Sequence, residues 1–370
     1  MVSLVNIAAF ISAHGFGHAA RAAAVMNAIA EKYSAVHFDI YTVAPAWFFQ
    51  ESLLAEHRLH PILTDIGIVQ ETPMQEDLPA TLRALDAFLP FEPALVSRLA
   101  QDLRTKGCQV ALCDISPLGI AVANAAGLPS ILVENFTWDW IYQGYAQEAP
   151  RLEPFIAYLC QAFAAATYHI QAVPLCAPSP RAALTTSPIA RNPVTPANII
   201  RSRLGVPSTA RLILVTMGGI PERFYNLERV SGSDDIYLVI PGGSNRVELR
   251  NHMILLPHHS SFYHPDLIYA CNAVVGKAGY STLSEAYHAG VPFAYFARPS
   301  FRESGPLSAF IDREMSGFEI PLSDYHSGAW IDHLPDLLEL PRYQRKGING
   351  ADQVAEFCLN ILGISPYSPT

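Results

Sequence analysis

A strand, a glycine-bearing turn and a helix follow one another repeatedly along this chain, and one proline-rich stretch breaks the succession. Apolar, β-branched or aromatic runs at residues 6–13, 37–43, 110–113 and 130–133 alternate with helical stretches at 19–29, 90–103 and 117–126. Such alternation demands a parallel sheet, because each strand must be carried back to the starting edge by a covering helix. Between residues 174 and 197 the rhythm stops at Pro174, Pro178, Pro180, Pro188, Pro193 and Pro196, a stretch that reads as a linker. Strand signals resume at 212–216, 236–240, 253–256, 273–275 and 293–296, with a helix at 281–289 stopped by Gly290 and a last helical stretch at 351–362. The expected fold is α/β: two doubly wound, Rossmann-like domains whose strand carboxyl ends face each other across a cleft. The boundaries are 1–190 for the first domain, 191–200 for the linker, 201–346 for the second domain and 347–370 for a closing helical segment.

Composition narrows the function classes. A chain of 370 residues suits two domains at about 150 residues each. With 33 acidic and 24 basic side chains the net charge is −9, which excludes a broad nucleic-acid surface but leaves room for a local basic pocket. Half the residues are hydrophobic and only 15% are charged, so disorder is excluded as well. No run approaches the roughly 18 apolar residues of a membrane span. The apolar N-terminus lacks a basic flank and reads as a first strand, not a signal peptide. Six cysteines without a CxxC pair, most in apolar surroundings, read as reduced thiols of a cytoplasmic protein. Pro45-Ala46-Trp47-Phe48-Phe49 reads as helix core, with peripheral membrane contact as the competing reading.

Four turns at strand ends carry chemistry. His14-Gly15-Phe16-Gly17-His18-Ala19-Ala20-Arg21 lets the backbone turn tightly and approach a ligand at a helix N-terminus. His18 suits a general base taking a proton from a hydroxyl. The same segment fits a dinucleotide fingerprint, but Asp39 lies inside the second strand and not at its end, so a nicotinamide cofactor is disfavoured. A metal on His14 and His18 lacks a third ligand. A helix cap by His18 is the plain alternative. Asp114 ends a buried strand and can orient an imidazole, or else cap the helix beginning at Pro117. In Gly276-Lys277-Ala278-Gly279-Tyr280-Ser281-Thr282-Leu283-Ser284-Glu285-Ala286, the N–H groups of residues 279–282 can cradle a phosphate, with Lys277 adding charge. Glu285, one turn beyond Ser281, can reach ribose hydroxyls or close a capping box. Met217-Gly218-Gly219 offers a small-residue turn for a pyrophosphate. Trp138, Trp140 and Tyr142 stack a substrate ring or, more commonly, pack the core.

These segments together resemble a GT-B glycosyltransferase, in the broad group containing the N-acetylglucosaminyl transferase of peptidoglycan lipid-intermediate synthesis. The resemblance is nearer still to the glycosyltransferase-like N-terminal region of L-arabinokinase and its bacterial relatives, through residues 11–21, 135–142 and 276–286. It implies an inverting, metal-independent transfer from a nucleotide sugar, probe-worthy first as a UDP-sugar, to a hydroxyl acceptor of small-molecule or lipid-linked type. It implies no cofactor, because the nucleotide sugar is a co-substrate. Gly218, Gly219, Lys277, Gly279, Tyr280, Ser281 and Thr282 are then expected at the diphosphate, Glu285 at the ribose, residues 256–260 at the base and Glu303 at the sugar hydroxyls. His18 and Asp114 are expected to be catalytic, with the acceptor against His14, Gly15, Gly17, Arg21, Trp138 and Asp139, and the last helix crossing back to the first domain. Ser304 stands where those relatives carry a second acid, which leaves the sugar open. A non-catalytic nucleotide-sugar-binding module and an epimerase of the same architecture are the rival readings. Oligomeric state is left open.

Overall fold

The computed structural model describes residues 4–72, 74–218, 235–343 and 347–365. Gly219 falls outside them. The first sheet uses β1 (Val5–Ile11), β2 (Val36–Tyr41) and β3 (His57–His60) on one side of the switch point. A small antiparallel hairpin, β4 (Gln70–Thr72) and β5 (Gln75–Glu76), stands apart from it. Then come β6 (Cys108–Asp114), β7 (Ser130–Glu134), β8 (Tyr168–Ala172) and β9 (Leu184–Thr186). Their order is β3-β2-β1-β6-β7-β8-β9, all parallel. β9 lies inside the stretch expected to be linker. Its three residues make a short edge strand, where nearby prolines cost no ladder bonds.

The second sheet holds β10 (Arg211–Thr216), β11 (Ile236–Pro241), β12 (Glu248–Arg250), β13 (Met253–Leu256), β14 (Ala273–Lys277), β15 (Phe293–Phe296) and β16 (Gly317–Glu319). Its order is β12-β13-β11-β10-β14-β15-β16, parallel apart from β12. Alternate strand residues enter opposite cores. Ile7, Ala9 and Ile11 face one cluster and Ala8 and Phe10 the other, while Leu212 and Leu214 oppose Ile213 and Val215 in the same way. Both faces are therefore covered, as a parallel sheet requires.

Strand order reverses between β1 and β6 in one sheet and between β10 and β14 in the other. A crevice opens beyond the carboxyl ends of strands at such a reversal. The carboxyl ends of these four strands and the turns that follow hold His14 to His18, Asp114, Gly218 and Lys277 to Tyr280. The two switch points thus face each other.

The C-terminal helix (Gly350–Ile361) places Ala351, Val354, Ala355 and Cys358 in the core of the first domain, against the alanine-rich helix Phe16–Lys32. Lys32 pairs with Asp352 at 3.1 Å across that contact. The chain therefore passes between domains twice, and the two passages are stitched together. Asn349 Nδ2 donates to Ala190 O at 2.8 Å, and Ala190 N donates back to Asn349 Oδ1 at 3.2 Å. Among the described residues no helix is long and apolar enough to cross a membrane. The helix Ala46–Ser52 buries Phe48 and Phe49 and turns Trp47 toward the second domain, where it stacks on His259 at 4.7 Å. Four cysteines are buried, Cys176 is half-buried and Cys160 is exposed; all six are free thiols.

Candidate active site

Gly15 makes the first turn possible. Its φ is 73°, a left-handed conformation that strains any residue with a Cβ. The helix therefore begins at Phe16, earlier than its composition suggests, and His18 sits in the first helical turn and not in a loop. Arg21 follows three residues later on the same face. Gly17 lies against the second domain: a Cβ there would stand 3.5 Å from Ser281 Oγ.

Asp114, the last residue of β6, is 2% exposed. It does not cap the following helix, because Ser116 does so by accepting from Gly119 N at 3.1 Å. Between them Ile115 is held at φ 40°, a rare conformation for a β-branched residue and one that collects near functional sites. Asp114 Oδ1 lies 3.1 Å from His18 Nδ1. Arg21 donates from Nε to Oδ2 at 2.8 Å and from Nη2 to Oδ1 at 2.7 Å. Burial would raise the Asp114 carboxyl, but the charge of Arg21 and the contacts of both neighbours hold it below the usual range.

The network continues across the cleft. Arg21 Nη1 donates to Asn135 Oδ1 at 2.7 Å, and Asn135 Nδ2 donates to Glu303 Oε1 at 2.8 Å. Five side chains from both domains are joined in one line. Arg21 also stacks on Tyr280, 4.9 Å from the ring centre.

Two connected chambers occupy the cleft. One is lined by His14, His18, Arg21, Lys277, Arg298 and Glu303 among others. The other is lined by Trp47, Phe48, Arg191, His258, Tyr263 and His264 among others. They meet at Phe16, Gly17, Gly218, Ser281 and Thr282. Ser260, in the segment expected near a base, belongs to the second chamber. The helix Tyr280–Ala289 begins at Gly279 with no side-chain cap, so its first-turn N–H groups are left to the junction and the capping-box expectation does not hold. Lys277 is pushed down to about 7, first by burial and then by Arg298, against the opposing pull of Glu303 and Glu76. Burial, then His18, Arg298 and Lys277, lower His14 well below the ordinary histidine range.

Three expected placements change. Glu285 lines neither chamber. Its Oε1 accepts from Arg191 Nε at 2.8 Å and its Oε2 meets His264 Nδ1 at 3.0 Å, so the carboxylate is spent in a buried cluster. Arg191 and His264 are the groups that reach the second chamber. Trp138 is fully buried, donating from Nε1 to Asp65 Oδ2 at 2.7 Å and meeting the His14 ring edge-on at 5.0 Å. It backs the site without lining it. Asp139 likewise lies outside both chambers, with Oδ1 buried and unpartnered. Tyr280 lines the first chamber, but its hydroxyl is taken by Ile189 N at 3.0 Å.

Asn135, Gln70, Arg298 and Arg191 belong to the site without having been singled out as site residues. Arg298 sits just past a strand end, the signal that marked Asp114. Gln70 lies on the small hairpin, whose composition announces nothing.

Solved structures match this fold over nearly the whole chain. A glycosyltransferase of kitacinnamycin superposes with a TM-score of 0.60 at 14% identity, covering 96% of this chain and 99% of that one. The chain has the GT-B fold. A GT-B UDP-glucosyltransferase from Polygonum tinctorium matches with a TM-score of 0.60 at 11% identity, over 99% of this chain and 100% of its own. The glycosyltransferase VinC, solved with dTDP, gives 0.55 at 16% identity, over 95% and 94%. L-arabinokinase of Arabidopsis thaliana is 27% identical over 356 residues, 94% of this chain. The chain spans about 33% of that relative's length. No family model matches the chain.

Proposed function

We propose that this chain transfers a sugar from a nucleotide-sugar donor to a hydroxyl acceptor, with inversion and without a metal. One observation carries the reading: the His18–Asp114 pair stands across the cleft from the uncapped N-terminus of the helix Tyr280–Ala289. The diphosphate is assigned to the junction, where helix N–H groups and Lys277 gather negative charge. That the VinC structure was solved with dTDP supports a nucleotide-linked donor of this class.

With Nδ1–H donated to Asp114, Nε2 of His18 carries the lone pair. Nε2 takes the acceptor hydroxyl's proton as that oxygen bonds to the anomeric carbon. The bond from that carbon to the phosphate oxygen breaks, and the pair leaves with the nucleoside diphosphate. Its developing charge meets oriented N–H dipoles and the Lys277 ammonium. Asp114 is already matched by Arg21, so it orients the ring more than it stabilises an imidazolium.

A second reading has an observation of its own. Arg21 Nη2 lies 3.3 Å from His18 Nδ1. A donor there places the ring proton on Nε2 and removes the base, leaving a binding module.

Thermal shifts with UDP, dTDP, ADP and GDP test donor binding; a ligand at about 100 times its Kd adds about 2.7 kcal/mol. Turnover of the matching nucleotide sugar with alcohol acceptors, unchanged by EDTA, is expected of the transferase. Binding without turnover supports the module, donor turnover without acceptor supports an epimerase, and no binding refutes the proposal.

A further inference from the structure

We propose, resting on the transferase reading above, that the sugar carried by the donor is a uronic acid, whose carboxylate is received in the first chamber by Arg298 and Gln70. The two chambers differ in character. The second is walled by Trp47, Phe48, Phe262 and Tyr263, flat apolar groups that suit a nucleoside. With the diphosphate at the junction, the sugar falls in the first chamber, among Arg298, Gln70 and Glu303.

Arg298 is 4% exposed, yet its Nε and Nη1 make no hydrogen bond. Its closest counter-charge is Glu76 Oε1, 3.5 Å from Nη1, itself without a hydrogen bond. Its Cζ lies over the Phe301 ring, 3.5 Å from the ring centre. Nε2 of Gln70, on the same chamber wall, is likewise buried and unpartnered. Buried donors left unmade are unfavourable, and they are normally matched by some acceptor. Burial pulls the Arg298 guanidinium below the ordinary arginine range, although Glu303 and Glu76 oppose this, so its charge is under-compensated.

A neutral hexose offers hydroxyls, for which Glu303, fixed by Asn135, is already the acceptor. A guanidinium and an amide that both lack acceptors fit a carboxylate, which supplies two charged oxygens and brings no donor of its own. Glu303 then takes the ring hydroxyls, and Arg298 with Gln70 takes the acid group.

The test is isothermal titration of the full chain with UDP, UDP-glucose, UDP-glucuronate and UDP-galacturonate. One of the uronates is expected to bind roughly 10- to 100-fold more tightly than UDP-glucose, the range of a hydrogen bond to a charged group. Arg298→Gln should abolish that preference without weakening UDP, since loss of the arginine charge favours the Lys277 ammonium at the diphosphate. Gln70→Leu, on a half-buried hairpin, should reduce the preference by a smaller factor and covers the case in which Arg298→Gln fails to fold. Equal affinity for UDP-glucose and both uronates overturns the proposal and leaves the transferase reading standing. Loss of UDP affinity in Arg298→Gln equal to the loss for the uronate also overturns it, by assigning the arginine to the diphosphate. With the titration series built on whichever nucleoside diphosphate gives the thermal shift, failure of every ligand to bind rejects the donor reading and this proposal with it.

Discussion

Asp114→Asn is the most informative single change, because one carboxylate serves two partners. Asp114 accepts two charge-assisted bonds from Arg21 and faces His18 at 3.1 Å, and Arg21 is 1% exposed. Unit charges 4 Å apart attract by about 4 kcal/mol at an effective dielectric of about 20. An asparagine keeps one carbonyl acceptor but points its amide at a guanidinium or imidazole that also donates. Arg21 is left buried and unmatched, a loss of roughly 3–5 kcal/mol. Urea unfolding followed by tryptophan fluorescence reads this directly, since four tryptophans are present.

The pH dependence gives an independent check. The folded Asp114 pKa lies below its unfolded value of about 3.9, so its contribution is complete above that value and disappears as pH falls through the folded value. Wild type and variant should therefore differ fully at neutral pH and converge in acid. Adding Arg21→Met to the variant should recover part of the loss by removing the stranded charge. A loss below about 1 kcal/mol, or additive single and double variants, would refute the assignment of Asp114 as the counter-charge of Arg21.

Three further outcomes are expected. His18→Ala should slow transfer by roughly 10²–10⁴-fold with nucleoside diphosphate affinity little changed; near-full turnover would remove His18 as the base. Glu285→Gln should lose roughly 3–5 kcal/mol, because Arg191 is left buried and unmatched, and should weaken nucleotide binding by releasing Arg191 and His264; unchanged titrations would show that their placement is set elsewhere. Gly276→Ala would put a Cβ 2.0 Å from Thr216 O, prying β14 from β10 at the switch point, and should lose at least about 1–3 kcal/mol in denaturant titration; a neutral result would mean that the strands separate freely.

The architecture is legible in the sequence because it rests on local signals. Strand runs, turn glycines and Gly290, with φ 66°, report positions that depend on a few neighbours. The site is legible only where a residue's fate is decided nearby. His18 lies in the first turn of the helix after β1 and Asp114 ends β6, and these strands are neighbours in one sheet, so topology alone brings the two together. Glu285 escapes such reading: its spacing from Ser281 is visible, but its capture by Arg191 and His264 depends on the interdomain passage and a separate helix. Trp138 is claimed by Asp65, far away in sequence. Arg298 and Gln70 come from opposite domains, and neither stands in a motif.

The paired passages between the domains also set the geometry of opening. A door hung on two adjoining pins turns about one line, and Asn349 bonded to Ala190 locates that line beside Ile189. Tyr280, bonded to Ile189, sits almost on the pivot and travels little at any angle. Trp47 and Glu51 meet His259 as a further tie between the domains, so any turn about that line must part this stack and this ion pair.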